Sequence, residues 1–154
     1  MAIDVNTIIA AVDVDDDLAN SVLRTAADLS EIFGASLHVV DVVTPMRSIG
    51  SLYAVGAVTR DLETHHKAGA ENLRKLTSLV SEVAPSAKPI VVYGEPGKAV
   101  ADYARKNYAD LLVIGSHQKG WWETLTSGAA SPELVREAPC AVYVVTKDAA
   151  RNMT

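Results

Sequence analysis

The residues of this chain best suited to chemistry lie in one stretch, GSHQKGWWETLTSGAA, which runs from Gly115 to Ala130. A glycine closes an apolar run, a polar loop follows, and a second glycine, Gly128, precedes a helical pattern. Glycines let backbone N–H groups approach an anion, and a following helix adds a favourable dipole. A second suggestive stretch is AAVDVDDD, where Asp13 closes the first apolar run and Asp15, Asp16 and Asp17 extend the negative charge.

Other chemistries find less support. The first apolar run is not followed by a G-x-G-x-x-G dinucleotide loop. In Gly94-Glu95-Pro96-Gly97-Lys98 the leading glycine of a phosphate loop is missing and Ala99 stands where a metal-binding Ser or Thr belongs, so this segment reads as a strand-to-helix turn with proline at the helix start. No G-x-S-x-G elbow occurs. Ser116, His117 and Asp13 hint at a triad, yet nothing orients a nucleophile or supplies an oxyanion hole, and catalysis is not expected. Asp61 and His65 share a helix face at i,i+4, but two ligands do not make a metal site and His66 points elsewhere, so no metal is expected. Trp121 and Trp122 are suited either to stacking a base or, as such pairs more often do, to anchoring a loop. The lone Cys140 forms neither an intrachain disulfide nor a thiolate cluster.

The elements that must position these loops are legible. Five apolar, β-branched runs stand out: Thr7–Asp13, Ser36–Val43, Lys88–Tyr93, Asp110–Gly115 and Cys140–Val145. They are continuous rather than alternating, as strands covered on both faces are. Between them lie a helical pattern from Asp17 with Leu18, Val22, Ala26, Leu29 and Ile32 or Phe33, closed by Gly34. A longer helix is expected from Thr59 to Val83, with Leu62, Ala70, Leu73, Leu76 and Val80 on one side. A third opens at Pro96, and a fourth is expected between Ala129 and Glu137. Thr44–Val58, without clear periodicity, is the expected mobile loop.

Alternating strands and helices in a chain of 154 residues predict one α/β domain: a doubly wound, five-stranded parallel sheet of order 3-2-1-4-5 with helices on both faces. Ligands bind such sheets at the carboxyl ends of the strands where the order reverses, here between the first and fourth strands. Asp13 and Gly115 converge there. The net charge of −5 and the lack of a Lys/Arg cluster speak against nucleic acid. No apolar segment reaches membrane-spanning length, and MAIDVNTIIAAVD is no signal peptide, so the expected compartment is the cytoplasm.

The blocks IIAAVD, ASLHVVDVV, VVYGEPGKAVADYARKNYADLLVIGSH and APCAVYVV, in this order and spacing over residues 3–146, resemble the universal stress protein family. The resemblance implies a domain over residues 1–146, an adenine-nucleotide-hydrolase-like fold and a stress-response role. Residues 147–154, a terminal stretch, are the expected disordered tail. Nucleotide-binding members carry G-x2-G-x9-G-(S/T) in the loop. From Gly115 that pattern places Gln118 at the second glycine, Gly128 at the third and Ala129 at the hydroxyl residue, with Gly120 two residues late. Two of the phosphate-contacting positions are thus altered, and the wording H-Q-x-x-W is closer to the branch that binds no ATP. The nucleoside half is kept: Asp13 matches the acid facing the nucleoside, and Val39 the residue whose backbone holds adenine. Ser116 and His117 complete the candidate nucleotide residues. Family members also dimerise by antiparallel pairing of the last strand, which implies a homodimer through Ala141, Val142, Tyr143, Val144 and Val145. The expected function is a non-catalytic, dimeric stress-response protein with a degenerate nucleotide site, acting through protein partners. The alternative is an ATP- or AMP-binding switch of the same family, with a slow ATPase as a third reading.

Overall fold

A computed structural model describes residues 3–44, 55–116 and 138–152. The chain runs β1 (Thr7–Ala11), α1 (Ala19–Phe33), β2 (Ser36–Val43), α2 (Val55–Val83), β3 (Lys88–Tyr93), α3 (Pro96–Lys106), β4 (Leu111–Gly115), β5 (Ala141–Val145) and α4 (Lys147–Arg151). The five strands form one sheet of order β3-β2-β1-β4-β5, and every pairing is parallel. This is the architecture the strand–helix alternation predicts.

Two cores lie on opposite faces of the sheet. On one, Ile8, Ala10, Leu37, Val39 and Val113 pack against Val22, Leu23 and Ala26 of α1 and Leu76 and Val80 of α2. On the other, Ile9, Ala11, Val40, Leu112 and Ile114 pack against Val100 and Ala104 of α3. Successive strand residues thus serve opposite cores, which is why the runs are apolar at every position. The strand starts are braced by Asp110, whose Oδ2 accepts the Asn6 and Thr7 N–H groups at 2.8 and 3.0 Å. Across the second face the His38 Nδ1 and Tyr103 hydroxyl lie 2.8 Å apart. Burial, with the Lys88 charge beside it, holds the His38 ring below the usual imidazole range.

Gly34 ends α1 at φ 65°, a left-handed conformation that favours glycine. Gly94, Glu95 and Pro96 form the expected strand-to-helix turn, with the proline in the first turn of α3.

Four expectations need correction. The helix α2 begins at Val55 rather than Thr59, inside the stretch expected to be loop. Its buried stripe is also rotated: Leu76 is fully buried, but Leu73 is 42% exposed and Ala70 is exposed. The inner side carries Gly69, Asn72, Leu76, Leu79 and Val80 instead, because Asn72 has a buried partner to reach and Gly69 must admit the Tyr93 side chain. In α1 the stripe stops short of Ile32 and Phe33, both of which are exposed. Finally, residues 147–151 are helical rather than disordered. The Thr146 hydroxyl caps this turn by accepting the Ala149 N–H at 3.2 Å, and Ala150 packs against the first core. The expected helix over 129–137 and most of the loop over 44–58 lie outside the described residues.

Candidate functional site

The order reversal falls between β1 and β4, which are neighbours although five elements, α1, β2, α2, β3 and α3, separate them in sequence. The chain leaving β1 donates the Val12 N–H to the Val40 carbonyl at 2.9 Å and then enters the acidic loop. The loop is ordered by its own carboxylates. Asp13 Oδ1 accepts the Asp15 N–H at 3.0 Å, and Asp16 Oδ1 accepts the Leu18 N–H at 2.7 Å. Asp16, not Asp17, therefore braces the entrance to α1. Asp15 reaches across to α2, where the Lys75 Nζ lies 3.1 Å from its Oδ1. Asp13 is exposed, two residues beyond the end of β1, so it braces the loop and still faces solvent beside the strand ends.

Val39 is fully buried in β2, in register with Ala10 of β1, and its side chain is core. Gly115 ends β4 against α1. A Cβ there would meet Val22 Cγ2 at 3.2 Å and Leu18 Cβ at 3.6 Å. The close helix–strand approach is thus reason enough for glycine, independent of any ligand. Ser116 donates its N–H to the Val145 carbonyl at 2.9 Å, which commits that amide to the sheet and not to a ligand. Asp13, Gly115 and Ser116 therefore lie at the carboxyl ends of their strands, whereas Val39 lies midway along β2. His117, Gln118, Gly120, Trp121, Trp122, Gly128 and Ala129 lie outside the described residues.

One residue of the site escaped the reading of the sequence. Asp41, two residues after Val39 in β2, is a carboxylate only 4% exposed. Its Oδ2 accepts a hydrogen bond from Asn72 Nδ2 of α2 at 2.8 Å, and its Oδ1 accepts the Val42 N–H at 3.0 Å. Burial, reinforced by the negative charges of Asp13 and Asp15, pushes its pKa up to about 6, although both hydrogen bonds act in the other direction. The signal was present as the one acid inside SLHVVDVV, where a strand covered on both faces has no place for an unpartnered charge.

Asp13, Asp15 and Asp41 make this end of the sheet rich in acceptors and negative. Among the described residues no group of three or more His, Cys, Asp or Glu side chains is placed to hold a metal ion, His65 and His66 included. Such a surface suits hydrogen-bond donors, such as ribose hydroxyls or an exocyclic amine, better than an uncompensated polyphosphate.

The fold defines a doubly wound α/β protein with its candidate ligand site at the topological switch point. The universal stress protein family model matches residues 5–146, and the chain belongs to that family. A universal stress protein of Thermus aquaticus is 31% identical over 140 residues, covering 90% of this chain and 97% of the relative. Among solved structures, a universal stress protein in complex with cAMP superposes with a TM-score of 0.62 at 17% identity, over 93% of this chain and 98% of the other. A family member from Arabidopsis thaliana with AMP bound gives a TM-score of 0.56 at 18% identity, over 95% and 94% respectively. No helix among the described residues is long and apolar enough to cross a membrane.

Proposed function

We propose that this chain is a non-catalytic, dimeric regulatory protein of the cytoplasm whose switch-point crevice takes an adenine mononucleotide or nucleoside in preference to ATP. The observation that carries this reading is the asymmetry of the site. On the nucleoside side it keeps Asp13, exposed just beyond the end of β1, with the negative charge of buried Asp41 nearby. Its phosphate side is altered in sequence, with Gln118 and Ala129 at positions where a glycine and a hydroxyl residue hold phosphate in nucleotide-binding relatives. The loop thus resembles that of the family branch that binds no ATP. Each further phosphate adds negative charge to a crevice that already holds Asp13, Asp15 and Asp41. The cAMP and AMP found in solved relatives support an adenine ligand with a single phosphate.

Calorimetric titration with adenosine, AMP, cAMP and ATP tests the proposal. AMP or cAMP is expected to bind at least about tenfold more tightly than ATP, a difference of about 1.4 kcal/mol. Asp13→Ala should weaken AMP by a similar factor. ATP binding tighter than AMP would favour the alternative, an ATP-responsive switch built on Gly115 and Gly128. Phosphate release from ATP, abolished by Asp13→Ala, would instead establish an ATPase.

The dimer half of the proposal rests on β5. This strand lies at the sheet edge, and Ala141, Val142 and Tyr143 are exposed, the last two at 40% and 47%. An apolar edge without charge or proline is a surface that pairing would cover. Antiparallel pairing with a second copy through Ala141–Val145 would do so. Val142→Lys brings like charges near one another across the twofold and leaves the core untouched, whereas Val144 packs against the second core and is the poorer test. Sedimentation velocity should show Val142→Lys as a monomer; a dimer that persists in this variant rejects the β5 interface. Such a dimer would present regulatory protein partners with a twofold surface.

A further inference from the structure

Asp41 has no part in the reading above beyond adding negative charge, yet its surroundings are unusual. It is the carboxylate buried inside the sheet, two residues from Val39 and on the same face. Among the described residues it receives the neutral Asn72 amide from α2 and the Val42 N–H from its own strand. The charges that act on it come from the β1 loop, and both, Asp13 and Asp15, are negative. Lys75 of α2, the nearby cation, is engaged with Asp15 at 3.1 Å. Further along α2, Arg74 is held by Glu71 at 2.7 Å on an exposed face. In α1, Arg24 and Asp28 are exposed and lie off the stripe that meets the sheet. From β3 the residue in register is Val91, and the His38 ring of β2 faces α3 on the opposite side. Among the described residues Asp41 is therefore a buried carboxylate with hydrogen bonds, acidic neighbours and no counter-cation.

We propose that ligand binding at the switch point is proton-linked: an anionic nucleotide entering beside Asp13 makes the buried Asp41 carboxyl take up a proton. This inference rests on the nucleotide reading of the site. Its physical basis is linkage. A further negative charge near a carboxylate favours its neutral form, so binding draws in a proton and, reciprocally, acidification tightens binding. A protonated Asp41 also keeps its place, because one oxygen can still accept from Asn72 while the other accepts from Val42 or donates its proton.

The probe is cAMP, whose phosphodiester keeps one charge over the range used; the second ionisation of a phosphate monoester, as in AMP, falls near about 6 and would confound the result. Titrations at about pH 5.5, 6.5 and 7.5, in buffers of different ionisation enthalpy, read affinity and proton uptake together. Wild type should bind about threefold to tenfold more tightly at the lowest pH than at the highest, with measurable proton uptake between them. Asp41→Asn should bind with a flat pH profile. Asn72→Ala, which removes a hydrogen bond favouring the charged form, should move the transition to higher pH, a result that mere loss of packing would not give. A pH-independent affinity in wild type, or the same pH dependence retained in Asp41→Asn, rejects the linkage while leaving the nucleotide reading in place. Absence of cAMP binding at every pH, with AMP and adenosine also silent, rejects both.

Discussion

Asp41→Asn is expected to stabilise this protein at about pH 7.5 by roughly 1–3 kcal/mol, an unusual sign for a substitution at a residue only 4% exposed. The reason lies in the charge. The folded chain raises the Asp41 pKa from 3.8 to about 6, so the native state binds its proton more tightly than the unfolded chain does. Below about 4 both states are protonated and Asp41 carries no penalty. As pH rises toward about 6 the unfolded chain has already released the proton, and stability falls until the folded carboxyl ionises too. Above that the whole penalty applies, on the order of 3 kcal/mol for a shift of this size. An asparagine removes it. Its carbonyl can still accept the Val42 N–H, and its amide can donate to the carbonyl of a flipped Asn72. Urea unfolding at several pH values and fixed protein concentration should show the two proteins nearly equal around pH 4 and the variant ahead near pH 7.5. A variant that is less stable at every pH would mean that the Asn72 hydrogen bond outweighs the buried charge.

Leu76→Ala should destabilise the fold by about 3 kcal/mol, whereas Leu73→Ala on the same helix should change it by less than about 1 kcal/mol. Leu76 is fully buried and belongs to the core that holds α2 on the sheet beside α1. Its truncation leaves a cavity between helix and sheet that β1 and β2 cannot close without breaking their ladder. Leu73 is 42% exposed, so its methyl groups return to water at little cost. Chemical denaturation of the two variants decides between the observed rotation of α2 and the stripe the sequence pattern suggested. Equal losses at the two positions would favour the latter.

That contrast shows where the sequence was and was not informative. Apolar runs without alternation announced strands buried on both faces, and their spacing with helical patterns announced the parallel, doubly wound order. Gly34 and Pro96 marked their turns because each encodes a backbone conformation that depends on few distant residues. The same is true of the convergence of Asp13 and Gly115, which follows from topology alone. The tail after Thr146 was harder, since a five-residue helix has no periodicity to read and is held by one cap and one packed alanine.

The candidate site divides in the same way. The family and the residues at Gln118 and Ala129 are properties of order and identity, and these the sequence by itself determined. The tertiary structure decided what each group is occupied with. Asp13 braces its own loop while remaining exposed, Ser116 spends its amide on Val145, and Gly115 lies too close to Val22 for a larger residue to fit easily. It also decided that Asn72 turns inward on α2, which a periodicity rule places outside. A helical pattern records hydrophobicity, and a polar side chain can face the core when a buried carboxylate waits there for its hydrogen bond. Asp41 and Asn72 are thirty-one positions apart, and only the packing of α2 on β2 makes them one unit.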